Sequence, residues 1–244
     1  MQKNQSQKIN LLAYAAHPDD VEISISGTML KHKKMGLKTG IIDLTAGELG
    51  TRGNADLRKV ESARATEILQ LDARENLGLA DGFFEINHDS LLKVVVTLRK
   101  YKPDIILINA EKDRHPDHGR GHELVKRAVF LSGLPKIETE DENVPQTPWR
   151  PKNMYAYIQD YFFQPDIIID VTDHWKQRME SLLAYSSQFF DPNSEEPQTP
   201  ISTPEFLENI NGRSIQLGRL INTKHAEGLK VIKPIGVNNL MDLD

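Results

Sequence analysis

The sequence predicts an α/β fold, a Rossmann-like three-layer sandwich around a mostly parallel sheet, carried by one domain over residues 1–244. Three observations lead there. Short apolar runs of strand length alternate with stretches of helical spacing. The runs are apolar throughout, as strands covered on both faces are. The densest groups of metal-ligating side chains follow directly after two of these runs, where ligands bind in such sheets.

Ile9 to Ala16 reads as a buried strand, and Val21 to Met35 as a helix stopped by Gly36. Lys38 to Leu44 is a second strand. A glycine-punctuated loop covers Thr45 to Asn54, and Asp56 to Leu71 carries apolar residues at helical spacing through Val60, Ala63, Ile68 and Leu69. Ser90 to Tyr101 is again helical, Pro103 to Asn109 is a near-continuous apolar strand, and the loop Ala110 to Asp117 leads to a helix over Gly121 to Ser132. Met154 to Phe163 and Ile167 to Val171 read as strands and Trp175 to Phe189 as a helix. Leu134 to Lys152 and Asp191 to Pro204 are rich in Pro, Asn, Thr and acids, which suits surface loops or lids.

Composition narrows the function. Hydrophobic residues make up 39% and charged residues 27%, and no stretch approaches the ~18 consecutive apolar residues of a membrane helix, so a soluble protein with no membrane partner is expected. Met1 to Asn10 has basic residues but only a short apolar run after it, unlike a signal peptide, which makes the cytoplasm the expected location. The net charge is −5 with acids dispersed, and the basic group Lys31, Lys33, Lys34 and Lys38 reads as a solvated helix end, so nucleic-acid binding is not expected. With no Cys, any metal site must be built from His and carboxylates.

Two loops carry such residues. The first, Ala16-His17-Pro18-Asp19-Asp20, sets an imidazole and two carboxylates just after the first strand, where a dinucleotide-binding protein would place G-x-G-x-x-G. Taken alone, it also suits an acid capping the next helix. The second, Asp113-Arg114-His115-Pro116-Asp117-His118, follows the Pro103 strand and can face the first across the sheet. Together they supply the three His and carboxylate ligands that a catalytic zinc takes while keeping a position for water. Of Asp19 and Asp20, one can bind metal while the other acts as general base; of His115 and His118, one can ligate while the other faces the substrate. Spacing alone leaves both choices open. His122, one helical turn after His118, offers a second chelating pair that ranks below the first loop. His32, His88, His174 and His225 have no ligand-like neighbours.

The pairing of His17-Pro18-Asp19-Asp20 with His115-Pro116-Asp117-His118 resembles the PIG-L/LmbE-like family of zinc-dependent deacetylases. The resemblance extends through Asp43 to Thr45, the helix with Arg58, Asn76-Leu77, Lys102-Pro103, Leu131 to Leu134 and Tyr185 to Phe189. It implies the LmbE-like deacetylase fold, one Zn²⁺ per subunit held by His17, Asp20 and His118, and an enzyme that hydrolyses an amide. Fe²⁺ or Co²⁺ suits the same ligands. It further implies Asp19 as general base, His115 as oxyanion stabiliser or general acid, and Asp117 as the partner that orients His115. Relatives often form symmetric oligomers, so a homo-oligomer is expected.

Gly47 to Gly53, Arg58, Arg74 to Leu77 and Asp81-Gly82 are similar to the branch that deacetylates N-acetylglucosaminyl malate in bacillithiol biosynthesis. A small N-acetyl sugar with an acidic aglycone is the implied partner, for which Arg58, Arg52 and Arg114 are candidate contacts and Glu48 a candidate for a sugar hydroxyl. The same chemistry on a chitooligosaccharide or an antibiotic precursor is the nearest alternative, followed by a metal-binding module without turnover and a dinucleotide-dependent oxidoreductase. Some relatives carry a Tyr near the C-terminal loop position of Phe206, which has no hydroxyl to donate. Gln188, Asp170 and Asp173 fall in similar segments without an assigned role.

Overall fold

A computed structural model describes residues 8–239 and 241. Most of the segment on which the N-terminal reading rests, residues 1–7, lies outside the described residues. A seven-stranded sheet runs through the molecule in the order β3-β2-β1-β4-β7-β9-β8. Strands β1 (Leu11–Ala15) and β2 (Thr39–Thr45) are buried at every position, as the unbroken apolar runs require of strands covered on both faces. Outside β2 lies β3 (Ala73–Leu79), and on the other flank of β1 come β4 (Ile105–Ile108) and then, past a two-stranded hairpin of β5 (Glu140–Asp141) and β6 (Val144–Pro145), β7 (Asn153–Tyr157). The pairings among β3, β2, β1, β4 and β7 are all parallel, while the β5–β6 hairpin is antiparallel. Strand β9 (Ala226–Val231) lies antiparallel between β7 and β8 (Ile167–Asp170), so the sheet is mostly parallel, as expected.

The helices cover both faces. They are α1 (Asp20–Ser24), α2 (Ser26–Lys34), α3 (Ala55–Leu69), α4 (His88–Tyr101), α5 (Pro116–Ser132), α6 (Trp175–Leu183) and α7 (Pro204–Leu220). One core, with Leu12, Tyr14, Ile42, Val94, Leu98 and Leu124, packs on one face of the sheet. A second, with Ala13, Val21, Met29, Ile41 and Tyr157, packs on the other. Among the described residues, no helix is long and apolar enough to cross a membrane.

Five elements depart from the sequence reading. The single helix expected over Val21 to Met35 is two, broken at Ile25 (φ −144°, ψ 18°), and the carbonyl of Ile23 near the break accepts from the side chains of Arg178 and Arg213. Strand β3 reads too polar to be noticed because its Arg74 and Glu75 are held by partners: Arg74 bonds Asp43 through two nitrogens, at 2.8 and 3.0 Å, and Glu22 at 2.7 Å. Helix α6 stops at Leu183, short of Phe189, in turns that hold Gln188. Phe206 lies in the first turn of α7, not in a loop, and α5 begins at Pro116, five residues before Gly121.

The site is placed by the order of the strands. Strand β1 pairs with β2 on one side and β4 on the other, Ala13 opposite Leu107, so the chain leaves β1 and β4 side by side at their carboxyl ends and then departs in different directions. The crevice that opens at such a switch point receives both His-containing loops.

Candidate metal centre and adjoining cavities

The first loop turns sharply out of β1. Asp19 adopts φ 115°, a left-handed conformation that a non-glycine residue rarely takes and that persists only where surrounding structure holds it. This turn buries His17, Asp19 and Asp20 together. Asp20 Oδ2 accepts the His17 N–H at 3.0 Å and the Asn109 Nδ2 at 2.9 Å, which ties the loop after β1 to the end of β4. Its other oxygen, Oδ1, lies 3.1 Å from His118 Nε2, and Oδ2 lies 3.9 Å from His17 Nδ1. His17, Asp20 and His118 therefore converge, although the two loops that supply them lie far apart in the sequence.

The far nitrogens of the two imidazoles face carboxylates. His118 Nδ1 is 2.5 Å from Asp113 Oδ2, and His17 Nε2 is 3.0 Å from Asp81 Oδ1 and 3.5 Å from Asp117 Oδ2. Carboxylates placed behind imidazoles in this way orient the rings and raise their basicity toward a metal on the near side. His17 Nε2 is also a buried nitrogen with no well-aligned hydrogen bond. Five carboxylates (Asp19, Asp20, Asp81, Asp113 and Asp117) surround three imidazoles, a charge balance that suits a cation. Among the described residues, the groups whose donor atoms all lie within 4.8 Å of one another are His17 with His115 and His118, and His17 with Asp81 and Asp117; Asp20 adjoins both without belonging to either. A hard or borderline divalent ion fits these nitrogen and oxygen donors, with no sulfur among them.

The surrounding carboxylates favour positive charge on two of the imidazoles, His17 and His118. Burial opposes a charge on His17, but the carboxylates of Asp117 and Asp81 facing its Nε2 and the charge of Asp20 outweigh it and raise its pKa to about 10. Burial likewise opposes the charge on His118, which Asp20 and Asp113 raise to about 9. Asp20 is held low despite burial because His118 faces it. Asp19 goes the other way, to about 7: burial disfavours its charge, Arg58 only partly offsets this, and Asp20 adds to it. His115 is lowered by burial and by the charges of His17 and His118.

His115 N-caps α5, its Nδ1 accepting the Asp117 N–H at 3.3 Å, and its ring meets that of His17 edge-on at 4.5 Å. The expected orientation of His115 by the Asp117 carboxylate is not what the geometry has. That carboxylate accepts the Gly82 N–H at 2.7 Å, pairs with Arg120 at 2.5 Å and backs His17. Asp117 thus acts on the first loop, and only its backbone reaches His115.

Asp19, Arg58, Arg114 and His115 line one cavity of about 310 Å³ with the three converging residues. Arg58 is buried, its Nη1 3.7 Å from Asp19 Oδ2, and it passes over Gly47, whose φ is +66°. A Cβ on Gly47 would come 2.5 Å from Arg58 Nη1, so the glycine makes the space for the guanidinium. Arg52 and Glu48, by contrast, do not line this cavity. Arg52 turns to the segment 189–196, donating to the Phe189 carbonyl at 3.2 Å and the Ser194 hydroxyl at 2.5 Å. Glu48 accepts the Asp81 N–H at 2.8 Å while Asp81 accepts the Leu49 N–H at 2.9 Å, a clamp that positions the carboxylate behind His17. His122 bonds the Asn109 carbonyl at 2.9 Å and lines a different cavity, which removes it from the ligand set.

The sequence reading names Asp113, Asp81 and Asn109 without giving any of them a role at the site. Asp113 stands five residues before His118, and that proximity is the one signal available; Asp81 is brought to His17 by tertiary structure alone.

The PIG-L family model, described as GlcNAc-PI de-N-acetylase, matches residues 12–129, which include both loops. Diacetylchitobiose deacetylase of Thermococcus kodakarensis is 25% identical, the match covering 92% of this chain and 84% of that one. A probable N-acetyl-alpha-D-glucosaminyl L-malate deacetylase 2 of Bacillus anthracis is 24% identical over 74% of this chain and 81% of its own. Among solved structures, the conserved protein TT1542 of Thermus thermophilus is 33% identical, with a TM-score of 0.84 over 95% of this chain and 98% of that one.

Proposed function

Because this chain belongs to the PIG-L family of deacetylases, we propose that it removes the acetyl group from an N-acetylglucosaminyl substrate, with N-acetyl-α-D-glucosaminyl L-malate of bacillithiol biosynthesis as the preferred one. The observation that carries this reading is that His17 and His118 turn one nitrogen each toward Asp20 and the other toward a second carboxylate. In this reading His17, Asp20 and His118 hold Zn²⁺. When bound, the ion supplies Lewis acidity that polarises the amide carbonyl and acidifies a water.

The protein's own groups do the rest. Asp19, buried beside Asp20 but facing the cavity, takes a proton from the attacking water and passes it to the departing nitrogen. His115, on the same wall, donates to the oxygen that becomes negative at the tetrahedral stage. Asp117 and Asp81 hold the His17 ring, and Asp113 holds that of His118. Arg58 lines the cavity and suits a carboxylate of a malyl group, and Arg114, which also lines it, could reach the second only by sharing its guanidinium with Asp160, 2.8 Å away. The protein acts in the cytoplasm as one domain per subunit of a homo-oligomer.

The test is substrate comparison. Zinc-loaded protein is given N-acetylglucosaminyl malate and diacetylchitobiose at equal concentrations, and the released acetate and free amine are measured. Higher kcat/KM on the malate glycoside supports the bacillithiol assignment. A preference for diacetylchitobiose replaces it with the chitooligosaccharide reading, and no acetate from either refutes both.

A further inference from the structure

A second, larger cavity of about 430 Å³ adjoins the first, and Asp20, Ile23, Arg114, His118 and Ile201 line both. Asp20 and His118 thus stand at the junction of two lobes, with His17 on the smaller one only. We propose that the larger lobe receives the acyl side of the scissile amide and admits apolar N-acyl groups longer than acetyl. The chain would then be a general amidase of N-acylated amino sugars. This rests on the deacetylase reading above and extends it.

The direction of the amide follows from where the proton-handling groups lie. Asp19 and His115 line the smaller lobe only. Hydrolysis adds the water oxygen to the carbonyl carbon and breaks the carbon–nitrogen bond. One water proton goes to the nitrogen through Asp19, giving the free amine and the carboxylic acid, and the acid's proton then passes to the amine, giving ammonium and carboxylate. The nitrogen must therefore face Asp19, which puts the sugar in the smaller lobe with Arg58 and sends the acyl carbon toward the other.

Size and surface then say what the acyl group is. One water occupies roughly 30 Å³ in the liquid, and a methyl group is similar, so an acetyl group leaves most of the larger lobe unfilled. The wall carries Ile23, Phe162, Ile201, Phe206 and Ile210. Polar groups on its wall are engaged with protein, Arg114 and Asp160 at the surface and Arg213 and Gln159 deeper in. Arg114 bonds Asp160 at 2.8 Å, Arg213 donates to the carbonyl of Gln159, and Gln159 Oε1 accepts from Asn109 and Ala110. Glu208, Asn209 and Gln216 are exposed at the rim. What the lobe offers a ligand is chiefly aliphatic and aromatic surface, and the absence of a hydroxyl on Phe206 belongs to that surface.

Metal-loaded protein is assayed on methyl glucosaminides carrying N-acetyl, N-butyryl and N-hexanoyl groups, following the free amine. The hexanoyl compound is expected to have a kcat/KM at least equal to that of the acetyl compound. Phe206→Trp, which narrows the lobe, should lower the hexanoyl-to-acetyl ratio by about tenfold. Titration of Asp19→Asn protein should show the hexanoyl glycoside binding tighter than the acetyl one. If acetyl is released and hexanoyl is more than about tenfold slower, or if Phe206→Trp leaves the ratio unchanged, the lobe assignment is overturned while the deacetylase reading stands. N-acetylglucosaminyl malate is the control: release from it alone overturns this inference and leaves the deacetylase reading, whereas no release from it or from any of the three defeats both.

Discussion

Asp113 Oδ2 lies 2.5 Å from His118 Nδ1, and the other oxygen of the same carboxylate accepts the backbone N–H of Tyr161 at 2.7 Å. The ring of His118 is thereby fixed with its Nε2 toward Asp20, 3.1 Å away. Removing the carboxylate frees the ring to rotate and weakens its basicity. Asp113→Ala is expected to lower metal affinity by about 10- to 100-fold, as loss of such supporting groups does elsewhere. Competition with a chromogenic chelator measures it, and unchanged affinity would remove Asp113 from the centre.

The ligand and base assignments separate in a second experiment. His17→Ala and His118→Ala should each lose bound metal in elemental analysis. Asp19→Ala should keep its metal and lose deacetylation by about 10²- to 10⁴-fold, the usual contribution of a positioned base. Full metal content in either histidine variant would contradict the ligand set, and near-normal turnover by Asp19→Ala would contradict the base.

The arginines are expected to part company. Arg58 is held in the cavity by the gap over Gly47, so Arg58→Ala should raise KM for an acidic substrate by about 10- to 100-fold, the worth of one hydrogen bond between charged groups. Arg52 instead closes the segment 189–196 onto the loop after β2. Arg52→Ala leaves the Phe189 carbonyl short of a donor, and should cost about 1–3 kcal/mol of stability, read as a lower Tm, with KM little changed. The reverse pattern would place Arg52 at the substrate.

Much of this was legible in one dimension. The unbroken apolar runs at Leu11–Ala15 and Ile105–Ile108 announce strands buried on both faces. Where a side chain's environment is made by tertiary partners, composition misleads. Strand β3 carries an arginine inward because Asp43 and Glu22 neutralise it, and α1 ends early because Arg178 and Arg213 satisfy a carbonyl freed near the break. None of these partners is near in sequence.

The sequence by itself determined that His and Asp were the chemical groups available, that they followed parallel strands, and that thiolates were excluded, because those are matters of residue type and local order. Only the tertiary structure decided which carboxylate stands behind which imidazole. Hydrogen bonding acts over about 3 Å, whereas Asp81 is 64 residues from His17 in the chain, and only folding β1, β2 and β3 side by side brings them together. The same short range moved Asp117 from His115 to His17, and took Arg52 and Glu48 away from the cavity while leaving Arg58 in it.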